Sequence, residues 1–323
     1  MYITILQFIL GFIFLVKGAD IMVKGSSSIA KKYGISSLVI GLTIVAFGTS
    51  APELIVSAIA SWNGSTGIAL GNIIGSNISN TLLILGVSAI ISPLVVKKST
   101  VSKEIPLSLL AILAVGFLVN DALIDGLSFS ALTRIDGLVL ILFFSIFIYY
   151  TFGISKVKTN IVEEFKEEKI IKHSNTSSIF MILGGLVGLY FGGRWIVDSA
   201  VFFASSFGLS EELIGLTIVA IGTSLPELAT SAVAAYKKHT DIAVGNIIGS
   251  NIFNLFWVLG LSSIINPIAF NPILNIDILI LFMSTILVLF AVFFGKKSTI
   301  GRWEGASLLS VYFGYIIFLI IRG

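Results

Sequence analysis

The chain has 323 residues, of which 56% are hydrophobic and only 11% are charged, and its mean hydropathy is +1.05. Because soluble domains carry roughly 25% charged residues, this composition excludes an ordinary soluble fold and predicts an integral membrane protein whose surroundings are a lipid bilayer. The formal net charge of +3 is too small to favour a nucleic-acid partner, and the absence of cysteine excludes disulfides, thiol catalysis and thiolate metal sites.

The first apolar segment begins at the N-terminus, where it could be mistaken for a signal peptide. Residues 1–18 lack a basic n-region, however, and no A-x-A-like cleavage site follows the apolar stretch. We therefore expect this segment to be the first transmembrane helix.

Ten apolar segments follow one another along the chain, and most have the length of about 20 residues that a membrane-spanning helix needs. They lie near residues 2–23, 37–60, 68–92, 105–119, 135–152, 178–198, 212–235, 242–265, 274–294 and 304–321. A polar stretch interrupts the series after the fifth segment. The sequence therefore predicts an all-α membrane protein of ten helices, divided into a first half (1–154), a linker loop (155–177) and a second half (178–323).

Two strings in the first half recur in the second at an offset of 174 residues. GLTIVAFGTSAPEL, residues 41–54, matches GLTIVAIGTSLPEL, residues 215–228, at twelve of 14 positions. IALGNIIGSNISN, residues 68–80, matches IAVGNIIGSNIFN, residues 242–254, at eleven of 13 positions. The offset later becomes 168, where Arg134 and Gly137 match Arg302 and Gly305. The two sets of five helices are thus predicted to be structural repeats.

An odd number of helices in each repeat requires the two repeats to cross the membrane in opposite directions. If the N-terminus lies outside, sixteen of the 20 basic residues fall in loops on the inner side, as the positive-inside rule demands. This orientation predicts a multi-pass protein of the plasma membrane with both termini outside and the long central loop in the cytoplasm. Inverted repeats with broken helices are typical of secondary transporters.

Glu53 and Glu227 lie within apolar segments, where a carboxylate normally faces a partner, a cavity or an ion path. A structural carboxylate paired with a basic side chain is the alternative, but the second, third, seventh and eighth segments hold no lysine or arginine at comparable depth. Pro52 and Pro226 precede the glutamates and break each helix, which frees backbone carbonyls near residues 46–48 and 220–222. We expect carboxylates, hydroxyls and carbonyls to meet at one depth, as hard cations such as Ca²⁺ and Na⁺ prefer.

Neutral side chains around each glutamate complete the predicted site. Thr49 and Ser50, like their counterparts Thr223 and Ser224, lie three or four residues before the glutamate and so on its helical face. In the second string a serine and an asparagine four residues apart share a face; these are Ser76, Asn80, Ser250 and Asn254. Hydrogen bonding within or between helices is the alternative role for all of these side chains. We assign helix packing to the glycines. For Asn72, Asn77, Asn246 and Asn251, capping or helix–helix bonding is favoured over ion contact, which stays the alternative.

GTSAPEL with GNIIGSNISN, and GTSLPEL with GNIIGSNIFN, resemble the paired alpha repeats of sodium/calcium exchangers in the cation/Ca²⁺ exchanger superfamily. The resemblance covers essentially the whole chain and implies ten helices, of which the long first and sixth are gating helices. It also implies that Na⁺ and Ca²⁺ compete for overlapping sites. The ligands implied are the Ala46 carbonyl, Thr49, Ser50, Glu53, Ser76 and Asn80, and the Ala220 carbonyl, Thr223, Ser224, Glu227, Ser250 and Asn254.

The chain departs from some relatives in two ways. Asn254 stands where potassium-dependent exchangers carry an aspartate, which argues against coupling to K⁺. The central loop is too short for the regulatory Ca²⁺-binding domains of animal exchangers.

The function predicted is therefore antiport of Na⁺ against Ca²⁺ by alternating access, with these two ions as substrates. No cofactor is expected, and the sequence indicates no protein partner. Exchange of H⁺ for Ca²⁺ on the same fold is the main alternative. An ion channel is disfavoured by the inverted repeat. An intramembrane enzyme is disfavoured because the chain has no H-E-x-x-H motif, no Ser–His pair and no cysteine.

Overall fold

The structure is a computed structural model that describes residues 2–155, 173–206, 220–294 and 298–322. Nearly all regular structure is helical. The elements of the first half are α1 (Tyr2–Tyr33), α2 (Ser37–Thr49), α3 (Ala51–Trp62), α4 (Gly67–Ile91), β1 (Leu94–Val95), α5 (Thr100–Leu118), α6 (Asp121–Ile124), β2 (Ala131–Leu132) and α7 (Arg134–Ser155). Those of the second half are α8 (Asn175–Ser206), α9 (Ala220–Thr223), α10 (Leu225–Tyr236), α11 (Thr240–Ile265), β3 (Ile268–Ala269), a 3₁₀ turn (Pro272–Leu274), α12 (Asn275–Phe294), β4 (Thr299–Ile300) and α13 (Arg302–Arg322).

The helices supply the membrane spans that hydropathy predicts. Within the described residues, eight helices are long and apolar enough to cross a bilayer, and the bent pair α2–α3 supplies one more span. The remaining predicted span, near 212–235, begins outside the described residues, and α9 and α10 are its described part. Most of the predicted linker, 156–172, also lies outside them.

Helices α1 and α8 extend beyond the apolar segments that predict them, and each contains 32 residues. The extra turns of α1 contain the buried serines Ser26, Ser27 and Ser28, and the hydroxyl of Ser178 on α8 donates to that of Ser28 at 3.0 Å. The two helices pack very closely. A Cβ atom added at Gly18 would lie 2.8 Å from the Gly185 carbonyl oxygen, and one added at Gly192 would lie 2.5 Å from the Leu15 nitrogen. Only glycine permits this approach of the two backbones.

Short strands tie together loops that the topology places on the same side of the membrane. Strand β1 pairs antiparallel with β4, and β2 pairs antiparallel with β3. The two ladders are equivalent under the repeat, because Leu94 pairs with Ile300 as Ile268 pairs with Leu132. Both pairs join the loop after the third helix of one repeat to the loop before the last helix of the other.

The weak sequence match at an offset of 168 also corresponds to equivalent contacts. Arg134 Nε donates to the Ile264 carbonyl at 3.1 Å, and Arg302 Nε donates to the Ile90 carbonyl at 3.2 Å. A Cβ atom at Gly137 would lie 2.6 Å from the Gly260 carbonyl oxygen, and one at Gly305 would lie 2.7 Å from the matching Gly86 carbonyl oxygen. The last helix of each repeat thus packs on the third helix of the other in the same way.

The core of the molecule is formed by α4 and α11. In their most apolar stretches, 78% of α4 and 94% of α11 is buried inside the protein, whereas the other single-helix spans are buried by 39% or less. The peripheral helices leave their apolar side chains for lipid. The two central helices carry the GNIIGSN strings, so the fold places both strings at the centre of the protein.

Candidate ion-binding site

In each repeat, the break before the glutamate creates a new helix start inside a span. The chain breaks at Ser50 (φ −82°, ψ 7°), and α3 then begins with Pro52 in its first turn and Glu53 directly after it. Proline is accepted there because the first turn needs no amide donor, and a carboxylate in the first turn is favoured by the helix dipole. The span is bent by 46° at this point. The second repeat breaks at Ser224 in the same way and places Glu227 in the first turn of α10.

The two glutamates share one buried site, although they are 174 residues apart in the chain. Both side chains are fully buried. Ser50 Oγ donates to Glu227 Oε1 at 2.9 Å, and Ser224 Oγ donates to Glu53 Oε1 at 3.3 Å. Each glutamate therefore bonds to the serine of the opposite repeat. Sequence reasoning placed Ser50 on the helical face of Glu53. Because the helix is interrupted at Ser50, the hydroxyl instead contacts Glu227 of the opposite repeat.

The serines of the second string lie beside the glutamates of their own repeat. Ser250 Oγ approaches Glu227 Oε1 at 3.5 Å, and the Ser76 hydroxyl lies next to the Glu53 carboxylate. Among the described residues, neither carboxylate forms an ion pair with a basic side chain. Their side-chain partners are hydroxyl groups, which accept or donate hydrogen bonds without cancelling a negative charge.

The threonines are held by a second pair of crossing contacts. Thr49 Oγ1 lies 3.0 Å from Asn246 Oδ1, and the amide of Asn246 donates to Ser231 Oγ at 3.0 Å. In the other half Thr223 Oγ1 lies 3.3 Å from Asn72 Oδ1, and Asn72 donates to Ser57 Oγ at 3.0 Å. Each threonine hydroxyl therefore contacts the amide oxygen of an asparagine in the opposite repeat.

The predicted ligand asparagines lie on π-helical segments of α4 and α11, Ser79–Ile84 and Phe253–Val258. π-Helical segments are rare in proteins, but those that occur are often found at functional sites. Asn80 Nδ2 donates to Asn251 Oδ1 and Asn254 Nδ2 donates to Asn77 Oδ1, both at 3.1 Å. The interpretation of Asn77 and Asn251 as helix–helix bonding residues agrees with these contacts.

Besides the Ser76 hydroxyl, four buried carboxylate and amide oxygens of the predicted ligands have no hydrogen-bond partner: Glu53 Oε2, Glu227 Oε2, Asn80 Oδ1 and Asn254 Oδ1. They form two pairs related by the repeat. A buried acceptor without a donor is costly, and a buried carboxylate without a counter-charge is more so. A hard cation bound among these oxygens would satisfy all four. Within the described residues no cluster of three or more acidic, histidine or cysteine side chains occurs, so neutral oxygens must supply the remaining ligands.

The carbonyls predicted as ligands are placed less symmetrically. The Ala46 oxygen accepts the Ser50 amide at 3.0 Å, with the Thr49 hydroxyl at 3.4 Å. In the second repeat the Ser224 amide bonds instead to the Ile221 oxygen at 3.2 Å. A carbonyl has two lone pairs, so an Ala46 oxygen in a helical bond still has one for a cation. The roles of the Ala46 and Ala220 carbonyls stay predictions.

Sequence reasoning did not name Ser57, Ser231 or Thr81, and it did not connect Asn72 and Asn246 with the threonine ligands. Asn72, Asn246, Ser57 and Ser231 form the crossing contacts of the threonines, and Thr81 joins the asparagine network. The signal for the first four was present, because the same residue types occur at the same places in both repeats. Thr81 has no such signal, since its counterpart is Leu255.

Comparison with known proteins identifies one family that matches nearly the whole chain. The family model described as sodium/calcium exchanger protein matches residues 3–153 and 177–321. The chain belongs to the sodium/calcium exchanger family. This family consists of membrane transporters and not of enzymes, and membership confirms the resemblance that the two strings indicate.

Individual relatives can be aligned with this exchanger-family chain over nearly its full length. It is 38% identical to the putative antiporter CaxA of Alkalimonas amylolytica, over 98% of both chains. It is 34% identical to the sodium/calcium exchanger MaX1 of Methanosarcina acetivorans, again over 98% of both chains. The solved structure of the sodium-calcium exchanger NCX_Mj soaked with 2.5 mM Na⁺ and 0.1 mM Ca²⁺ superposes with a TM-score of 0.82 at 34% identity, covering 98% of each chain. The predicted fold of two inverted five-helix repeats is confirmed by this match.

Proposed function

We propose that this chain exchanges Na⁺ for Ca²⁺ across the plasma membrane by alternating access. The observation that carries the proposal is the pair of buried carboxylates, Glu53 and Glu227, which have no basic partner among the described residues and each keep one oxygen without a hydrogen bond. A site of this kind requires positive charge from an ion that enters from outside the protein.

Charge balance supports the coupling of the two ions. With both glutamates ionised, one Ca²⁺ neutralises the pair, and two or more Na⁺ ions together with local dipoles do the same. The same oxygens serve both ions, so occupancy by one excludes the other. A loaded, neutral site passes through the apolar interior more easily than an empty, doubly charged one, and this difference prevents an uncoupled leak of either ion.

The proposed ligands are the twelve groups that the family resemblance implies. The side-chain ligands come from both repeats in equal numbers: Thr49, Ser50, Glu53, Ser76 and Asn80, and Thr223, Ser224, Glu227, Ser250 and Asn254. The carbonyls of Ala46 and Ala220 complete the set. Asn254 adds an oxygen without adding charge, so we propose that transport does not need K⁺.

The relatives supply a chemical context for the proposal. MaX1 is named a sodium/calcium exchanger, and the NCX_Mj structures were obtained after soaks with Na⁺, Ca²⁺ or Sr²⁺. The Escherichia coli relative YrbG, 37% identical over 82% of this chain, is named an inner membrane protein. We propose the corresponding location here, with both termini outside and residues 155–177 in the cytoplasm.

Transport in proteoliposomes tests the coupling ion. Vesicles loaded with Na⁺ and diluted into Na⁺-free buffer with ⁴⁵Ca²⁺ should accumulate Ca²⁺, while vesicles with equal Na⁺ on both sides should not. Uptake driven only by a pH gradient would instead identify the H⁺/Ca²⁺ exchanger. A strict requirement for K⁺ would overturn the role given to Asn254. Uptake that needs no counter-ion would indicate a channel.

A further inference from the structure

The two ligand asparagines are held with a fixed orientation of their amide groups. An amide can face a cation with its oxygen or with its NH₂ group, and only the oxygen is a ligand. Asn80 and Asn254 are fully buried, and in both the NH₂ group is engaged with the opposite repeat while the oxygen has no hydrogen bond. The residues that accept hydrogen bonds from these NH₂ groups decide the orientation.

For Asn254 the chain of hydrogen bonds ends on a backbone carbonyl. Asn254 Nδ2 donates to Asn77 Oδ1 at 3.1 Å, and Asn77 Nδ2 donates to the carbonyl oxygen of Asn251 at 3.1 Å. A carbonyl can only accept. Asn77 must therefore turn its NH₂ group toward that carbonyl and its oxygen toward Asn254, which obliges Asn254 to present NH₂ there. The Asn254 oxygen is left on the other side.

For Asn80 the chain is one member longer. Asn80 Nδ2 donates to Asn251 Oδ1 at 3.1 Å, and Asn251 Nδ2 donates to Thr81 Oγ1 at 2.9 Å. The Thr81 hydroxyl gives its single proton to the Asn77 carbonyl at 2.8 Å, so toward Asn251 it can only accept. The direction of every bond in this chain is again set by a carbonyl, and the Asn80 oxygen is the atom left without a partner.

We propose that Asn77, Asn251 and Thr81 are positioning residues that orient the Asn80 and Asn254 oxygens toward the bound cation. This inference rests on the proposed function and adds residues to which neither the family resemblance nor the paired strings assign a role at the ion. The chains fix the orientation before the ion arrives, so binding does not have to reorder either amide. Turning either amide would place two N–H donors against a cation and leave a pair of acceptors facing each other.

Thr81 makes the two chains unequal. Its counterpart in the second repeat is Leu255, which is buried and has no hydroxyl. The Asn254 chain reaches its carbonyl through Asn77 alone, whereas the Asn80 chain needs Thr81. A change at position 81 therefore releases the orientation of Asn251 and Asn80, while the bonds of Asn77 and Asn254 can remain.

The test compares Thr81→Val with Thr81→Ser. Valine keeps the branched shape but removes the hydroxyl, and serine restores it. We measure the Ca²⁺ concentration for half-maximal Na⁺-driven ⁴⁵Ca²⁺ uptake, the maximal rate, and the rise in Tm that Ca²⁺ produces in detergent. For Thr81→Val we expect the half-maximal Ca²⁺ concentration to rise about tenfold, the equivalent of one lost hydrogen bond, with the maximal rate within about twofold of wild type.

Controls separate orientation from general packing. Thr81→Ser should restore the wild-type Ca²⁺ dependence, and Leu255→Val, the matched change in the other repeat, should lower the Tm without Ca²⁺ but leave the half-maximal concentration unchanged. If Thr81→Val does not fold, Thr81→Ala removes the same hydroxyl with less bulk.

The outcomes are distinct. A Thr81→Val protein with the Ca²⁺ dependence of wild type, or a Thr81→Ser protein as impaired as Thr81→Val, would overturn the positioning role while leaving the proposed exchange intact. A wild-type protein whose Tm and transport do not respond to Ca²⁺ would overturn the proposed function, and the positioning role with it.

Discussion

The two repeats are nearly identical at the centre of the protein and different at its ends. At the centre, every crossing bond of Glu53, Thr49 and Asn80 has a counterpart 174 residues away. At one end, Lys237, the residue after α10, forms an ion pair with Asp20 of α1, which also pairs with Lys24. The equivalent positions are Asn63 and Arg194, which cannot form such a pair. Arg194 lies instead 3.6 Å from Asp198 in its own helix, and both of these side chains are 62% exposed.

This difference shows where the symmetry is needed. A site that must present similar ligands toward both sides of the membrane benefits from equal contributions of the two repeats. The ends of the spans meet different solutions and carry different numbers of basic residues, so they have no such constraint. Substitutions can test both the equality at the centre and the inequality at the ends.

The largest effect is expected from removing either carboxylate charge. Glu53→Gln and Glu227→Gln should each reduce Na⁺-driven Ca²⁺ uptake by about a hundredfold or more, because a neutral amide cannot balance a divalent cation in a low-dielectric site. The measurement is ⁴⁵Ca²⁺ uptake by variants that elute as a single peak in size-exclusion chromatography. Equal losses would support the equality of the two repeats, and near-normal flux in either folded variant would refute the site.

Labelling of single cysteines should give an all-or-none difference between the two ends. Asn63 and Lys238 are exposed in equivalent loops, and the native chain has no cysteine. Asn63→Cys should react with an impermeant thiol reagent in intact cells, whereas Lys238→Cys should react only after permeabilisation. Labelling of both from the same side would contradict the orientation proposed for the two repeats.

A third carboxylate in the site should produce an effect of intermediate size. Asn254→Asp adds an acid that must lose its proton before it can help to bind a cation. Between about pH 8.5 and about pH 5.5, we expect Ca²⁺ uptake to fall about threefold more in this variant than in wild type. Asn80→Asp is the matched variant and should behave alike. Identical pH profiles for wild type and Asn254→Asp would place position 254 outside the ion site.

The smallest effect is expected at the ion pairs of the helix ends. Lys237→Ala removes a partly exposed pair that joins α10 to α1, and should lower the free energy of unfolding by about 0.5–1 kcal/mol at low salt. Arg194→Ala removes only an exposed contact within α8 and should change the free energy of unfolding by less than about 0.5 kcal/mol. Denaturation in detergent at low and high salt measures both. A larger loss of stability for Arg194→Ala than for Lys237→Ala would contradict the expected difference between the two ends.

Much of the fold was predictable because it depends on local properties of the chain. Continuous apolar segments must become helices in a bilayer, since no water is available for their backbone groups. Pro52 and Pro226 break two of these helices wherever the rest of the chain lies. The ends of α1 and α8 were not predictable in this way, because the polar residues there are buried by contacts between two helices distant in sequence, such as Ser28 with Ser178.

The sequence by itself determined the repeat, the opposite orientation of its two copies and the presence of Glu53 and Glu227 at the helix breaks, because each follows from the order of residues along the chain and needs no contact between distant segments. Only the tertiary structure decided that Ser50 bonds to Glu227 and Ser224 to Glu53, and that Asn80 and Asn254 are oriented by the opposite repeat. The physical reason is that a broken helix no longer fixes the direction of the side chains on either side of the break. Their directions are set by contacts between residues more than 170 positions apart, which come together only when the two repeats pack.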